Sequence, residues 1–211
     1  MVNSNLLEML GTREASVTPD NILENSKAGS GGERDLNFLR YLLGNDLLIL
    51  SETVLKRTGL NFTEEYYLER YRKISFETDR HFLCRTIIQD ELYRLGIKTM
   101  NDTSVGHMDI LRSSSSYDIV AGDLSVLIDV GLAPARNYFR GLTDLKVKNY
   151  LITTYFDDYM DDIIFSVFSR GNDQYFLDAV KDYEDGFNIL FPNPAGSFGE
   201  TGHYSKPGLK E

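Results

Sequence analysis

The apolar positions Leu36, Leu39, Leu43, Leu47, Leu50 and Val54 recur at helical spacing and predict helix over residues 36–58. Gly44 and Asn45 offer a break that would divide this stretch in two, and Gly59 is its natural stop. Asn61-Phe-Thr-Glu64 has the form of a capping box and opens a long helical region that Gly96 closes after Leu95. A region of that length is expected to bend, with a restart at 75–79. Beyond Gly96 the pattern changes: residues 97–112 show no period, and the serines at 113–116 read as a turn or loop. Two β-rich runs follow, 117–121 and 124–130, and the Gly122-Asp123 pair between them is a tight hairpin signal. Pro134 suits the first turn of a helix, and the stripe Ala135, Tyr138, Phe139, Leu142, Leu145, Ile152 and Phe156 carries that helix to about residue 156. Residues 163–168 predict a further strand, bounded by Arg170-Gly171, and residues 174–183 a last helix.

The two ends of the chain differ from this middle. A short helix over 6–10 leads into a polar stretch and a Ser/Gly-rich connector at 26–33, so residues 1–35 are expected to be flexible or weakly helical. Residues 192–211, rich in Pro and Gly, read as a flexible tail or a linker toward further domains. The domain proper is then expected over 36–191, in the α+β class: a helical bundle packed on a small mixed sheet, with one helix inserted between its strands.

Composition narrows the function. A chain of 211 residues is the size of one domain, and 42% hydrophobic residues with 13 Tyr and 12 Phe supply a real core, which excludes wholesale disorder. No apolar run approaches the roughly 20 residues of a bilayer span. Residues 1–10 lack the basic start and apolar stretch of a secretory signal. The single Cys84 excludes an internal disulfide and a multi-cysteine zinc site, and fits a reducing compartment. Against 32 acidic residues stand 22 basic ones, a formal charge of −10. That disfavours gripping nucleic acid by charge alone. It suits an acidic site that recruits divalent cations and reaches a phosphate through them.

The candidate chemistry lies in Tyr117-Asp-Ile-Val-Ala-Gly-Asp-Leu-Ser-Val-Leu-Ile-Asp129. Asp118 begins one strand of the hairpin, and Asp129 stands near the end of its partner inside the apolar run Val126-Leu-Ile-Asp-Val130. An ionised carboxylate there costs several kcal/mol unless a cation or hydrogen-bond donors compensate it. Two acids on adjacent strand ends, followed by a lysine-bearing helix, are the plan of a two-metal phosphodiesterase. The acids hold Mg²⁺ or Mn²⁺ about 3.5–4 Å apart, the ions activate water, and a lysine stabilises the developing charge. On a helix turning about 100° per residue, Lys146 falls roughly 60° from the centre of the stripe, Lys148 roughly 100° on the other side, and Arg140 roughly opposite. Lys146 is therefore the better placed. Upstream, His81 in Asp79-Arg80-His81 sits on the preceding helix, and Asp102 follows that helix, with Asp109 competing for the same role. An imidazole in the set favours Mn²⁺ over Mg²⁺. Each of these residues also has an ordinary reading: structural strand-end acids, a hydrogen-bonded core histidine, a snorkelling helix lysine.

The order of residues resembles the cap-snatching endonuclease at the N-terminus of bunyavirus L polymerases, a divergent branch of the PD-(D/E)XK nucleases. It consists of an Arg-His pair on a helix, an Asn-Asp after it, an Asp on a first strand, an acid in an apolar second strand, and a lysine-bearing helix. The resemblance spans about residues 78–168 and rests on spacing. It implies that His81, Asp102, Asp118, Asp129 and the carbonyl of Val130 hold two Mn²⁺ or Mg²⁺ ions, and that Lys146, or Lys148, is the catalytic lysine. Asp118 would bridge both ions, with His81, Asp129 and Val130 completing one and Asp102 holding the other. The chain departs from the pattern at Tyr117, where a proline is usual, at Asp129, where Glu is frequent, and at Gly131, where a D/E-x-K motif has its lysine. The implied activity is cleavage of single-stranded capped RNA to provide primers for viral transcription. The implied setting is a monomeric domain attached to the remainder of the polymerase, in the host cytoplasm and the virion.

Two other classes stay open at this level: a non-catalytic helical interaction module, and a DNA-directed nuclease of the same fold. Tyr159-Met-Asp-Asp162 spells the catalytic tetrapeptide of reverse transcriptases, but the short interval between Asp129 and Asp161 leaves no room for a polymerase palm.

Overall fold

The computed structural model describes residues 10–13, 32–57, 64–71, 73, 77–106, 114–156 and 162–185. In chain order the elements are strand β1 (Gly11–Arg13), helix α1 (Gly32–Gly44), β2 (Leu48–Lys56), α2 (Glu64–Arg70), α3 (Asp79–Arg94), β3 (Thr99–Gly106), β4 (Ser114–Ala121) and β5 (Val126–Val130). The short α4 (Asn137–Arg140) follows and runs into a 3₁₀ turn (Gly141–Thr143). β6 (Asn149–Thr153), β7 (Asp162–Arg170) and α5 (Asp173–Glu184) complete the described chain. The strands form one sheet in the order β1-β2-β7-β6-β5-β4-β3. Every neighbouring pair is antiparallel except β5–β6, whose connection carries α4. The class is α+β, as the pattern predicts.

Because the side chains of a strand alternate between faces, the sheet carries a core on each side. One layer holds Phe38, Leu39 and Leu42 of α1, Tyr138 and Phe139 of α4, and Phe176, Val180 and Tyr183 of α5, packed on Leu127, Tyr150 and Phe168. Phe38 stacks on Tyr183 at 4.0 Å between ring centres and meets Phe139 edge-on at 5.1 Å. The other layer holds Phe82, Ile87, Ile88 and Leu92 of α3 with Tyr67 of α2, packed on Ile119, Ile128, Leu151 and Phe165. A sheet covered on both faces explains why β5 and β6 are buried at every position.

Several elements follow the sequence pattern. The restart expected at 75–79 is the start of α3, where Thr78 accepts a hydrogen bond from the backbone of His81 at 3.2 Å. The hairpin turns at Gly122, Asp123 and Leu124, all with positive φ. β7 and α5 lie where predicted.

Three expectations are corrected. The helix predicted over 36–58 ends at Gly44, and the second half is the interior strand β2, paired along its length with β7. Leu47, Leu50 and Val54 fit a helical stripe, yet the chain reverses at Asp46 in a left-handed conformation and continues extended. The helix predicted over 134–156 is one turn of α4 followed by the wholly buried β6. Its stripe fails at Leu145, which is 47% exposed. Residues 99–106 and 114–116, read as aperiodic chain and loop, form β3 and the start of β4. The sheet is consequently large, with seven strands among the described residues. It also draws in the N-terminal segment: β1 pairs with β2, and Leu10 is buried in the α3-side core. The folded unit therefore reaches N-terminal to residue 36. Residues 6–9, Asn61 to Thr63 of the capping box, Asp109, Tyr159 to Asp161 and the 192–211 tail lie outside the described residues.

Candidate functional site

The ladder between β4 and β5 ends at the pair Ile119–Ile128. One residue further out on each strand stand Asp118 and Asp129, and there the carboxylates replace carbonyls as hydrogen-bond acceptors. Val130 N–H donates to Asp118 Oδ2 at 2.7 Å, and Asp118 N–H donates to Asp129 Oδ1 at 3.1 Å. β4 runs on to Ser114 along β3 while β5 ends at Val130, so Asp118 is interior to its strand rather than at its start. The two acids fill the opening where the strands part.

Asp129 lies toward the α4 layer. Its Oδ2 accepts from Tyr150 O–H at 2.9 Å and from Asn137 Nδ2 at 3.2 Å, so three donors converge on one buried carboxyl. Burial and the charge of Asp118 push its pKa up to about 7, against the lowering effect of the hydrogen bonds from Asn137, the Asp118 backbone and Tyr150.

Asp118 lies toward α3. Its Oδ2 also meets His81 Nε2 at 3.0 Å, while His81 Nδ1 meets Glu77 Oε1 at 2.7 Å. Glu77 is gripped by Arg85, whose Nε and Nη2 each donate at 2.8 Å and whose Nη1 donates to Gln89 at 3.1 Å. Arg85 is fully buried, as is almost all of the Glu77 side chain. A neutral imidazole has one donor and one acceptor, but both ring nitrogens of His81 face carboxylates. With both acids ionised, the ring must carry a second proton or a cation must stand between it and Asp118. Burial pulls the His81 pKa down, but the hydrogen bond and charge of Asp118, followed by those of Glu77, outweigh it and the net direction is upward.

Tyr155 closes the rim. Its ring lies edge-on to His81 at 6.1 Å, and the Arg80 guanidinium lies 5.7 Å from its centre. It also covers Gly131, where an added Cβ would stand 2.7 Å from the ring.

The structure thus gathers His81, Asp118, Asp129 and Val130 of the predicted set. Of Asp102 the backbone is described: it lies in β3 between the pairs Asn101–Ile119 and Thr103–Tyr117, across from Asp118. Among the described residues no three His, Cys, Asp or Glu side chains form a metal-holding group. The donor types do fit a divalent ion of the Mn²⁺ kind, one imidazole with carboxylate oxygens, and Asp118 Oδ1 makes no hydrogen bond among the described residues. The lysines do not join them. Lys148 N–H donates to Ser125 O at 2.7 Å, which places it at the far end of β5, four residues or about 13 Å along the strand from Asp129. Lys146 lies in the exposed turn before it, its N–H donating to Asp144 Oδ1 at 2.9 Å. The ranking of these lysines assumed a helix, and the chain there is a turn leading into β6.

Sequence reasoning missed Glu77, Arg85, Asn137, Tyr150 and Tyr155. Glu77, His81 and Arg85 are spaced four apart, one face of a helix, so that part was legible. Asn137, Tyr150 and Tyr155 fell inside the misread helix.

No family model, characterised protein or solved structure matches this chain.

Proposed function

We propose that the chain is a divalent-metal-dependent endonuclease acting on single-stranded RNA, with Mn²⁺ or Mg²⁺ as cofactor. Its place would be the N-terminal part of a viral RNA polymerase, cutting capped transcripts into primers. The observation that carries this reading is the doubly flanked His81. Its Nε2 lies 3.0 Å from Asp118 Oδ2 beside the buried Asp129, and a cation held by these groups would offset the charge that the two carboxylates bring together. Bound divalent ions supply a nucleophile from water at neutral pH and neutralise charge on the leaving oxygen. In this scheme His81, Asp118, Asp129 and the Val130 carbonyl hold the metal. Glu77 fixes the His81 ring with Nε2 outward, and the Tyr150 and Asn137 donors keep the Asp129 carboxyl in place.

The reading is tested by incubating the protein with unstructured single-stranded RNA and Mn²⁺, with a chelator control and single-stranded DNA in parallel. RNA cleavage is expected, lost in chelator and in Asp118→Asn. The Asn side chain can still accept from Val130 N–H, so this variant should keep its fold. Metal-dependent cleavage of DNA alone would transfer the same site to the DNA-directed alternative.

A non-catalytic module is the second reading, and one observation favours it: three protein donors already satisfy Asp129. If millimolar Mn²⁺ neither binds by calorimetry nor raises the melting temperature, the two carboxylates are strand-end caps and nothing more.

A further inference from the structure

Gly131 follows Val130 directly and bends away with φ +90°, a conformation that side chains rarely adopt. A Cβ there would meet Tyr155 at 2.7 Å from Cζ and 2.9 Å from the hydroxyl oxygen. The space beside Gly131, on the His81 and Asp118 side, is therefore occupied by a phenol. Hydrolysis of a phosphodiester draws on such a neighbour: a water oxygen bonds to phosphorus and gives its proton to solvent, and the bond to the leaving oxygen breaks. The leaving oxygen then takes a proton from solvent, while negative charge builds on the non-bridging oxygens. Lys146 and Lys148 stand at the other end of β5 and cannot supply the donor.

We infer that Tyr155 is the donor: its hydroxyl hydrogen-bonds a non-bridging oxygen of the scissile phosphate, with the Arg80 guanidinium beside it. The inference deepens the nuclease reading and rests on it. Three observations place Tyr155 for this role. Its ring is held edge-on to His81 and against Gly131, so its position is fixed by the site itself. The residue is 39% exposed, and its hydroxyl, beside Gly131, makes no hydrogen bond among the described residues. Arg80 brings positive charge to this rim of a chain whose formal balance is −10. A tyrosine donor is neutral, so it stabilises the transition state without competing with a divalent ion for the acids.

The test is Tyr155→Phe, which keeps the ring and its packing on Gly131 and removes only the hydroxyl. Three quantities are measured on the full chain: the Mn²⁺ isotherm by calorimetry, the melting temperature, and the kcat and KM for single-stranded RNA. The expected result is an unchanged isotherm and melting temperature, with kcat down about 10²-fold and KM within about twofold, the signature of an interaction made in the transition state. Arg80→Ala is expected to raise KM. Wild-type kcat in Tyr155→Phe overturns the inference and leaves the nuclease reading standing. A wild-type protein that neither binds Mn²⁺ nor cuts RNA overturns both.

Discussion

Burial and the neighbouring Asp118 raise the Asp129 carboxyl to about 7, so the metal-free folded chain keeps a proton that the unfolded chain releases near the ordinary value of 3.8. A raised folded-state pKa stabilises fully below the unfolded value and loses that stabilisation as pH rises through the folded one. His81, also shifted upward, acts in the same direction. In chelator, the melting temperature should therefore fall between about pH 4 and pH 7, and Asp129→Asn should flatten the fall. On the proposed metal site divalent ions would compete with protons for the same atoms, so stabilisation by Mn²⁺ should grow over that interval. Melting curves at several pH values, with and without metal, check both signs. A second residue-scale outcome concerns Glu77, whose carboxylate neutralises the fully buried Arg85. Glu77→Gln removes that negative charge from the buried guanidinium and should cost about 3–5 kcal/mol in urea unfolding. At low temperature, where the variant is still folded, its Mn²⁺ affinity should drop about 10–100-fold as His81 loses its orienting partner.

At the scale of elements, β2 and β7 owe their junction to one glycine. Gly171 N–H donates to Leu47 O at 3.0 Å, and a Cβ on Gly171 would lie 1.9 Å from the backbone carbonyl oxygen of Asp46. No side-chain rotation can relieve a clash with backbone. Gly171→Ala should therefore part the end of the β2–β7 pair and destabilise by about 1–3 kcal/mol or more, read by urea unfolding. β2 and β6 are also where periodicity misled. Leu47, Leu50 and Val54 are spaced for a helix, but Ile49 and Thr53 are β-branched and the run pairs with a full-length partner on β7. In β6, Asn149-Tyr-Leu-Ile-Thr153 is buried on both faces, and a strand of that kind shows no alternation to read. The β4–β5 hairpin was legible because its turn chemistry is local: Gly122 and Asp123 adopt positive φ, the conformation their residue types favour. The α3 restart was expected from the length of the helical region alone, and the structure adds its cap, Thr78.

For the whole molecule, the sheet begins with a strand remote in sequence from the rest. Deleting residues 1–13 removes β1 and buried Leu10. It should lower the melting temperature by several degrees and expose the β2 edge to association, visible by light scattering. In the intact chain, millimolar Mn²⁺ should raise the melting temperature, and excess chelator should reverse the rise. The sequence by itself determined what depends on near neighbours. That covers the α+β class, the hairpin, the restart before α3, the final strand and helix, and the marking of Asp118, Asp129 and His81, because turn residues and a charge inside an apolar run act over a few positions. Tertiary structure alone decided that residues 48–56 and 149–153 are strands, since pairing with distant β7 overrides a local helical stripe. It also decided the company those acids keep. Glu77 and Arg85 behind His81, Tyr150 and Asn137 on Asp129, and Tyr155 over Gly131 meet only where the strand ends part, because hydrogen bonds and packing depend on distance in space, which spacing along the chain does not carry.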